Sequence, residues 1–399
     1  AIPANRRRKG LPVMSCGCPL RKAKGADHVC AASCRQFRGC SGACHETEQI
    51  AAAVASAQRG PQLLGSRCFN IRELEQRHPV RFKCRNKVRL HEEVLRIVQP
   101  LPESARLCFH RFRAGRLPRR FGKGCEARVL PGLFDYQQST EAEVHWYVNF
   151  AATELFGFYE GSLFAQDEMQ VQEHPALGSL RRALQAAAEP GLVPLTVQGS
   201  SATPCLVAGV PRVCSIDTAP SAAAPLGLFG SAFAGVLAEE VIAATRFHEP
   251  PLTSNILAIE APKPGRGTYT WSQVNRIIEA AYAGYAAAKT VSSGALAEGG
   301  TGQLSVEVVV HTGHWGCGAY GGSRPLMAML QTVAAQLAGV SLVYHAFDAA
   351  GIAAVEGGMR VLRELEEQLD SEGTGSVSLD AFVREVEARG FAWGQSDGN

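Results

Sequence analysis

The sequence predicts an α/β protein in which helices flank a layered β-sheet, with an additional helical layer on its N-terminal side. One observation is the order strand, glycine-rich loop, helix, strand over residues 304–347. Residues 304–310 (LSVEVVV) are apolar and β-branched, and residues 326–337 have apolar side chains at helical spacing that end before Gly339. A second observation is that strand-like and helix-like segments alternate from residue 144 onward. Such an order is typical of parallel crossover units, whose loops at the carboxyl ends of the strands hold the functional residues.

Length and composition are those of a globular protein. The chain has 399 residues and 46% hydrophobic content, enough for one large domain or two smaller ones. The net charge of +3 is too small by itself to indicate nucleic acid. Basic residues are concentrated before residue 124 and acidic ones over residues 370–387. A solvated surface explains this better than a face that attracts a polyanion, although both remain open.

Thirteen cysteines and the start of the sequence bear on the compartment. The count is odd, and the first residues lack the apolar stretch of a signal peptide. We therefore expect a reducing compartment, nuclear or cytoplasmic, with free thiols or metal ligands and no disulfides. The uncharged runs 191–211 and 219–238 are interrupted by Pro, Gly, Ser and Thr, so they predict buried strands and loops, with no membrane span.

Three regions follow from the composition. Residues 1–64 form a basic leader with six cysteines and His45, which is either disordered or a zinc site; we predict no metal there. Residues 65–130 are predicted to be a mainly helical accessory region, with helical segments at 92–98 and 105–112. Residues 131–399 are predicted to be the main domain with C-terminal helices.

Within the main domain, further elements can be placed. The expected strands are 144–150, 192–197, 205–208, 256–260 and 340–347, and the expected helices are 176–188 and 273–289, the second capped by Ser272. The end of the chain predicts two helices around the loop DSEGTGSVSLDA. This loop resembles a calcium-binding loop, but Ala381 lies where a bidentate Glu is needed, so we predict a turn without calcium.

The stretch HTGHWGCGAYGGS, residues 311–323, is the first candidate site. Its five glycines let backbone amides approach an anion, and the helix that follows favours negative charge at its N-terminus. A tight turn that needs glycine only for its backbone angles is the alternative.

The adjacent carboxylates Asp167 and Glu168 are the second candidate site. Two like charges in a partly dry cavity raise the pKa of one carboxyl group, which makes it a general acid near neutral pH. The alternative is that acidic residues simply favour the first turn of a helix.

These two stretches resemble the signature of poly(ADP-ribose) glycohydrolases. VNFA from Val148, AQDE from Ala165 and EHPAL from Glu173 are similar to the family's VDFAN, its QEE and a following Pro-containing segment. TGHWGCGAYGGS is nearly the family's TGNWGCGAFGGD, and ILAIEA with VNRIIEAAYAGY resembles the strand and helix before that loop. The resemblance covers about residues 107–387 and implies a macrodomain-like mixed sheet with a helical accessory layer.

The resemblance also implies an activity and its residues. It implies hydrolysis of the ribose–ribose O-glycosidic bond of poly(ADP-ribose) without a cofactor or metal, Glu168 being the general acid and base and Asp167 holding ribose hydroxyls. The substrate-binding positions that it implies are Asn149, Gln166, His314, Trp315, Gly316, Cys317, Gly318, Ala319, Tyr320, Gly321 and, against the adenosine, Phe347. The partners would be poly(ADP-ribose) or ADP-ribosylated proteins, with no direct nucleic acid and no membrane, and we expect a monomer.

Several alternatives stay open. Glu239 and Glu240 form a second carboxylate pair, but no VNFA-like strand and no Gln precede it. Asn149 and Ala152 replace the family's Asp and Asn, and FGFYEGS lacks its triple glycine. One rival function is therefore a macrodomain that binds ADP-ribose without cleaving it. Another is a zinc-dependent nucleic-acid-binding protein centred on the N-terminal cysteines.

Overall fold

An eight-stranded mixed sheet organises the protein. The computed structural model describes residues 60–122, 127–294, 306–370 and 373–398. Residues 1–59 of the cysteine-rich leader, which is predicted to span residues 1–64, lie outside the described residues, as do the predictions made for them.

The strands of the described residues are β1 (Gln62–Asn70), β2 (Arg106–Arg113), β3 (Arg120–Gly122), β4 (Arg128–Pro131), β5 (Glu143–Ala151), β6 (Val197–Gln198), β7 (Ser201–Ala202), β8 (Cys205–Ile216), β9 (Thr245–Glu260), β10 (Glu307–Thr312), β11 (Ser341–Ala346) and β12 (Ser376–Ser378). The helices are α1 (Ile71–Arg77), α2 (Arg85–Ile97), α3 (Gln166–Glu173), α4 (Ala176–Ala187), α5 (Ala238–Ala243), α6 (Trp271–Ser292), α7 (Arg324–Ala338), α8 (Ala349–Leu369) and α9 (Leu379–Ala388).

The large sheet has an antiparallel half and a parallel half. Its strand order is β1-β2-β8-β9-β5-β10-β11-β4. Neighbours from β1 to β9 run antiparallel, whereas β9, β5, β10, β11 and β4 are parallel. The carboxyl ends of β5, β9, β10 and β11 therefore meet at one edge of the sheet, where loops of an α/β protein bind ligands.

Alternate residues of the central strand β5 face two separate cores. Trp146 and Val148 pack in the cluster that contains α6 and α7, while Tyr147 and Ala151 pack with α3 and α4 on the other face. All four side chains are buried. Because a strand presents successive side chains to opposite faces, β5 contributes apolar side chains to both cores. The predicted sheet flanked by helices is thus confirmed.

Most elements around the glycine-rich loop match the predictions. The expected strands at 144–150, 256–260 and 340–347 lie within or overlap β5, β9 and β11, and the expected helices at 176–188 and 326–337 are α4 and α7. Gly339 ends α7 in the left-handed conformation, with φ of 64°.

Three predictions of secondary structure are wrong. Residues 105–112 form strand β2 in place of a helix, and β1 also belongs to the sheet, so the described part of residues 65–130 holds all or part of four strands as well as two helices. Residues 192–197 contain the end of a 3-10 helix and the first residue of β6 in place of a strand. The cap of α6 is Thr270, whose side chain accepts a hydrogen bond from Gln273 N, and Ser272 lies inside the helix. The division into three regions stays a prediction.

The expectation about cysteines is wrong for one pair. Cys68 and Cys108 face each other on β1 and β2 and form a disulfide, whereas Cys84, Cys205, Cys214 and Cys317 are free thiols. This disulfide weighs against the predicted reducing compartment, and the nuclear or cytoplasmic location stays a prediction. Within the described ranges, no helix has both the length and the apolar character needed to cross a membrane.

Asp370, directly after α8, holds the start of the segment that resumes at residue 373. Asp370 accepts hydrogen bonds from the backbone amides of Thr374 and Gly375, at 2.9 and 3.0 Å. The predicted pair of helices is present as α8 and α9, and β12 between them pairs with β3.

Candidate active site

The two candidate stretches lie at the carboxyl edge of the parallel strands. The acidic helix α3 follows β5 through residues 152–165, and the glycine-rich loop follows β10, the neighbour of β5. Gly313, at the start of that loop, packs near Phe150: a Cβ added to Gly313 would lie 3.4 Å from Phe150 Cζ. The sheet topology thus brings together residues that are about 150 positions apart.

Gln166 fixes the start of α3 against β5. Its Nε2 donates to Val148 O at 3.0 Å, and its Oε1 accepts from Phe150 N at 2.8 Å. Strand β10 pairs with β5 only as far as Tyr147, so the Gln166 amide takes the hydrogen-bonding position that β10 leaves. The Gln166 side chain is therefore used to position the two residues that follow it.

Asp167 and Asn149 lie together on the inner face of α3. Asn149 Nδ2 donates to Asp167 Oδ1 and to Gln170 Oε1, both at 2.9 Å. Burial raises the pKa of the Asp167 carboxyl group, and the charge of Glu168 raises it further, while the Asn149 hydrogen bond opposes this. Asp167 therefore accepts a proton more readily than a carboxylate in water.

Glu168 is equally buried, with 3% of its surface exposed. Its Oε2 accepts from Ala165 N at 2.9 Å, which closes the first turn of α3. Burial raises the pKa of Glu168, and the nearby charge of Lys87 and the backbone hydrogen bonds lower it only in part. A carboxyl group with a raised pKa keeps its proton to a higher pH than one in water, so it is better able to give that proton to a leaving oxygen.

Lys87 is the cation beneath this pair. It is fully buried on α2, and its Nζ donates to Tyr159 O and Leu163 O in the loop that leads to α3. Burial lowers the pKa of Lys87 to about 8, against the effect of the Glu168 charge. Lys87 therefore both holds the loop and supplies positive charge near the carboxylates.

Trp315 anchors the glycine-rich loop from below. The ring is fully buried, and its Nε1 donates to Ile259 O at 3.0 Å. Gly316 and Gly321 have φ of 74° and 62°, a backbone conformation that favours glycine. Trp315 thus supports the loop, while the partly exposed positions from Gly316 to Tyr320 are the ones that a ligand can reach.

Glu260 accepts hydrogen bonds from both the glycine-rich loop and the loop after β5. It accepts hydrogen bonds from Tyr320 OH at 2.9 Å and from Thr153 Oγ1 at 2.9 and 3.0 Å. Tyr320 belongs to the glycine-rich loop and Thr153 to the loop after β5. One carboxylate at the end of β9 therefore sets the relative position of both loops.

His314 and Phe347 line the far side of the glycine-rich loop. His314 Nδ1 lies 3.0 Å from Tyr344 OH, and its Nε2 has no hydrogen-bond partner among the described residues. Burial lowers the pKa of His314 to about 4, so the ring is neutral at pH 7. Phe347 is 59% exposed, with the Arg324 guanidinium 5.5 Å from its ring centre. An exposed ring beside a cation suits a flat heteroaromatic ligand.

The segment 391–398 lies against the glycine-rich loop. Gly394 N donates to Gly321 O at 2.7 Å, and Trp393 stacks on Tyr269 with ring centres 4.1 Å apart. A Cβ added to Gly318 would lie 3.0 Å from Asp397 Oδ2. An acidic side chain thus borders the loop that the sequence predicts to bind an anion.

Sequence reasoning missed Lys87, Glu260 and Arg324. Lys87 gave no signal, because its role depends on contacts with residues more than 70 positions away. Glu260 and Arg324 each lie at an end of a recognised element, Glu260 ending β9 and Arg324 starting α7, so the expectation of functional residues at strand ends could have singled out Glu260.

The competing carboxylate pair lies elsewhere. Glu239 is exposed and Glu240 is half-buried on the short helix α5. Neither approaches the edge defined by β5 and β10 through any hydrogen bond or ion pair within the described part of the chain. Their exposure favours the solvated helix face.

A comparison with protein families matches the part of the chain that contains the glycine-rich loop. Residues 235–354 match the family model for poly(ADP-ribose) glycohydrolase (PARG), macro domain fold. This segment contains the glycine-rich loop but not Asp167 or Glu168. No curated protein matches the chain.

Two bacterial structures match over most of this chain, although their sequences are only 15% identical to it. The poly(ADP-ribose) glycohydrolase from Thermomonospora curvata bound to the inhibitor ADP-HPD is 15% identical with a TM-score of 0.35, over 79% of this chain and 99% of that chain. The enzyme from Deinococcus radiodurans in complex with ADP-ribose is 15% identical with a TM-score of 0.34, over 77% and 96%. The resemblance to poly(ADP-ribose) glycohydrolases is confirmed for residues 235–354, which carry the glycine-rich loop and match the macro domain fold, and the mixed sheet flanked by helices is macrodomain-like.

Proposed function

We propose that the protein is a poly(ADP-ribose) glycohydrolase-like hydrolase that cleaves ribose–ribose O-glycosidic bonds and releases ADP-ribose. The single observation that carries the proposal is a pair of buried carboxyl groups, Asp167 and Glu168, at the same sheet edge as an anion-suited glycine-rich loop. The family match supports the ligand class, because the related Deinococcus radiodurans structure is described with ADP-ribose.

The chemistry fits the properties of each group. Cleavage of a glycosidic bond passes through an oxocarbenium-like state and needs a carboxylic acid to protonate the leaving oxygen. Glu168, whose pKa burial raises, gives that proton, and its carboxylate then takes a proton from the attacking water. Asp167 holds ribose hydroxyls, and the amides of the glycine-rich loop hold the diphosphate. Phe347 packs on the adenosine.

The test compares two Glu→Gln variants on labelled polymer. We expect wild type to release ADP-ribose and Glu168→Gln to lose on the order of 10²- to 10⁴-fold in rate, since it removes a general acid. Its binding of ADP-ribose should persist, because Gln keeps the hydrogen bond to Ala165 N. Glu239→Gln makes the same change at an exposed position and should leave the rate unchanged.

A second candidate is a macrodomain that binds ADP-ribose without cleaving it. The observation that favours it is Asn149, a neutral amide in place of the family's Asp, beside carboxyl groups that are almost inaccessible. If wild type and Glu168→Gln are equally inert on polymer and on mono-ADP-ribosylated protein while both bind ADP-ribose, the binding module replaces the enzyme. In either case the expected partners are poly(ADP-ribose) or ADP-ribosylated proteins, and the expected state is a monomer.

A further inference from the structure

Three histidines form a hydrogen-bonded row across the parallel strands, directly before the loops of the candidate site. His145 lies on β5, His311 on β10 and His345 on β11, and all three are buried. His145 Nδ1 is 3.0 Å from His311 Nε2, and His311 Nδ1 is 3.0 Å from His345 Nε2. Neither the proposed hydrolysis nor the family match uses these side chains. We call them the histidine row.

Both ends of the histidine row meet groups that only accept hydrogen bonds. His345 Nδ1 lies 3.0 Å from the carbonyl oxygen of Leu133. At the other end, His145 Nε2 lies 3.4 Å from Glu143 Oε1, a carboxylate oxygen. The row therefore has four contacts, two between imidazoles and one at each end.

Counting protons shows that three neutral imidazoles satisfy the three hydrogen bonds of the row and leave no donor for the ion-pair contact with Glu143. Each neutral ring carries one N–H, so three rings supply three donors for the four contacts. If His345 donates to Leu133, His311 donates to His345 and His145 donates to His311. His145 Nε2 then presents a lone pair to the partly exposed Glu143 carboxylate at 3.4 Å. One positive charge held by the row supplies the donor that this contact lacks.

The position of that charge is indicated by Asp135. A carboxylate oxygen of Asp135 and one ring nitrogen each of His311 and His345 lie within 4.8 Å of one another. The two imidazole nitrogens are 3.0 Å apart, so both reach one ion at N–metal distances of about 2.0–2.1 Å once the rings turn toward it. Asp135, the third ligand, is exposed on the loop before β5.

We propose that Asp135, His311 and His345 bind one divalent transition-metal ion of the zinc class, with water completing the coordination. Imidazole nitrogen and carboxylate oxygen are ligands that Zn²⁺ prefers. When His311 Nδ1 and His345 Nε2 both bind the ion, the His311 proton resides on Nε2 and donates to His145 Nδ1. His145 Nε2–H then donates to Glu143, so every remaining contact has one proton.

The histidine row then acts as a relay of outer hydrogen bonds for the ion. Metal-bound histidines commonly donate their second N–H to a carboxylate or carbonyl, which orients the ring. Here the Leu133 carbonyl serves His345, and His145 with Glu143 serves His311. The ion would fasten the loop that contains Asp135 to the ends of β10 and β11, from which the glycine-rich loop and Phe347 extend.

The test measures metal bound by the full chain, because the N-terminal cysteines also offer ligands. Purified protein is stripped with a chelator, reloaded with Zn²⁺, and its zinc content counted; Co²⁺ is loaded in parallel. We expect Asp135→Asn and His345→Gln each to bind one equivalent less than wild type. The Co²⁺ spectrum of wild type should differ from those of the two variants only by weak visible bands. It should not differ by the intense near-ultraviolet absorption that a thiolate ligand produces.

His145→Gln is the matched control, since it alters the row but removes no proposed ligand. It should keep the wild-type stoichiometry while its affinity for Zn²⁺ falls by about 10- to 100-fold. Asp135→Asn changes an exposed side chain, so its loss of metal does not depend on a variant with an altered core. The proposal is overturned if wild type and Asp135→Asn bind the same number of zinc equivalents. In that case a proton, and not a metal ion, supplies the missing charge. Hydrolysis does not enter this readout, so failure here leaves the proposed function untouched.

Discussion

The burial of Glu168 next to Asp167 has a cost in stability that depends on pH. Because the pKa of Glu168 is raised in the folded protein, the folded state binds its proton more tightly than the unfolded state does. The contribution to stability is therefore greatest below the unfolded pKa, near 4.5, and declines as pH rises through the folded pKa. Catalytic groups are commonly kept at such a cost.

Glu168→Gln should consequently stabilise the protein above neutral pH. Gln stays neutral, keeps the hydrogen bond to Ala165 N and removes the like charge beside Asp167. We expect a gain on the order of 1 kcal/mol in the free energy of unfolding at pH 8 and a much smaller difference at pH 4. Urea unfolding at the two pH values measures it. A Glu168→Gln variant that is less stable than wild type at pH 8 would contradict the raised pKa.

At the scale of elements, the Gln166 side chain hydrogen-bonds to β5 at the place where its pairing with β10 has ended. Gln166 bonds to two backbone groups of β5 beyond the last pair with β10. Gln166→Leu leaves Val148 O and Phe150 N without these partners, and we expect it to cost about 1–3 kcal/mol in unfolding free energy. Gln76→Leu, the same change at an exposed position of α1, should cost less than about 0.5 kcal/mol. Equal costs in urea unfolding would mean that Gln166 does not hold α3.

The glycine-rich loop also depends on close packing. Gly316 has φ of 74°, and a Cβ added there would lie 2.7 Å from the Ala261 Cβ. Gly132 has φ of 91° but nothing within 4 Å of an added Cβ, so Gly132→Ala measures the backbone effect alone. We expect Gly316→Ala to be destabilised by about 1–3 kcal/mol more than Gly132→Ala and to bind ADP-ribose more weakly. Thermal unfolding and calorimetric titration test both, and similar losses in the two variants would show that the loop tolerates a side chain.

At the scale of the molecule, the sequence predicts best where one physical pattern dominates. Helix α7 has apolar residues at helical spacing, and β5 is rich in aromatic and β-branched residues, so the sequence predicts both. Strand β2 was mistaken for a helix because it is buried on both faces, which removes the alternation that identifies a strand. The pairing of Cys68 with Cys108 follows from the register of β1 and β2, and the histidine row from that of three strands. Register between distant strands has no signature in a single sequence.

The same limit applies to the candidate site. Asp167, Glu168 and the glycine-rich loop could be predicted because each is a local motif whose residue types determine its chemistry. Lys87, Glu260 and the segment 391–398 could not, since each acts through contacts with residues far away in sequence. Trp315 shows the opposite case: it belongs to the motif, yet it is fully buried and supports the loop from below.

The segment 391–398 gives a prediction that depends on the whole molecule. Its Asp397 carboxylate borders Gly318, where the proposed function places a diphosphate, so two negative groups would repel each other there. We expect Asp397→Asn to bind ADP-ribose about 2- to 5-fold more tightly at low ionic strength, and the gain should shrink in 0.5 M salt because exposed charges are screened. Asp380→Asn removes the same charge from exposed helix α9, where Asp380 pairs with Arg384, and should leave the affinity unchanged. Equal affinities for wild type and both variants would mean that the diphosphate, or the ligand itself, lies away from Gly318.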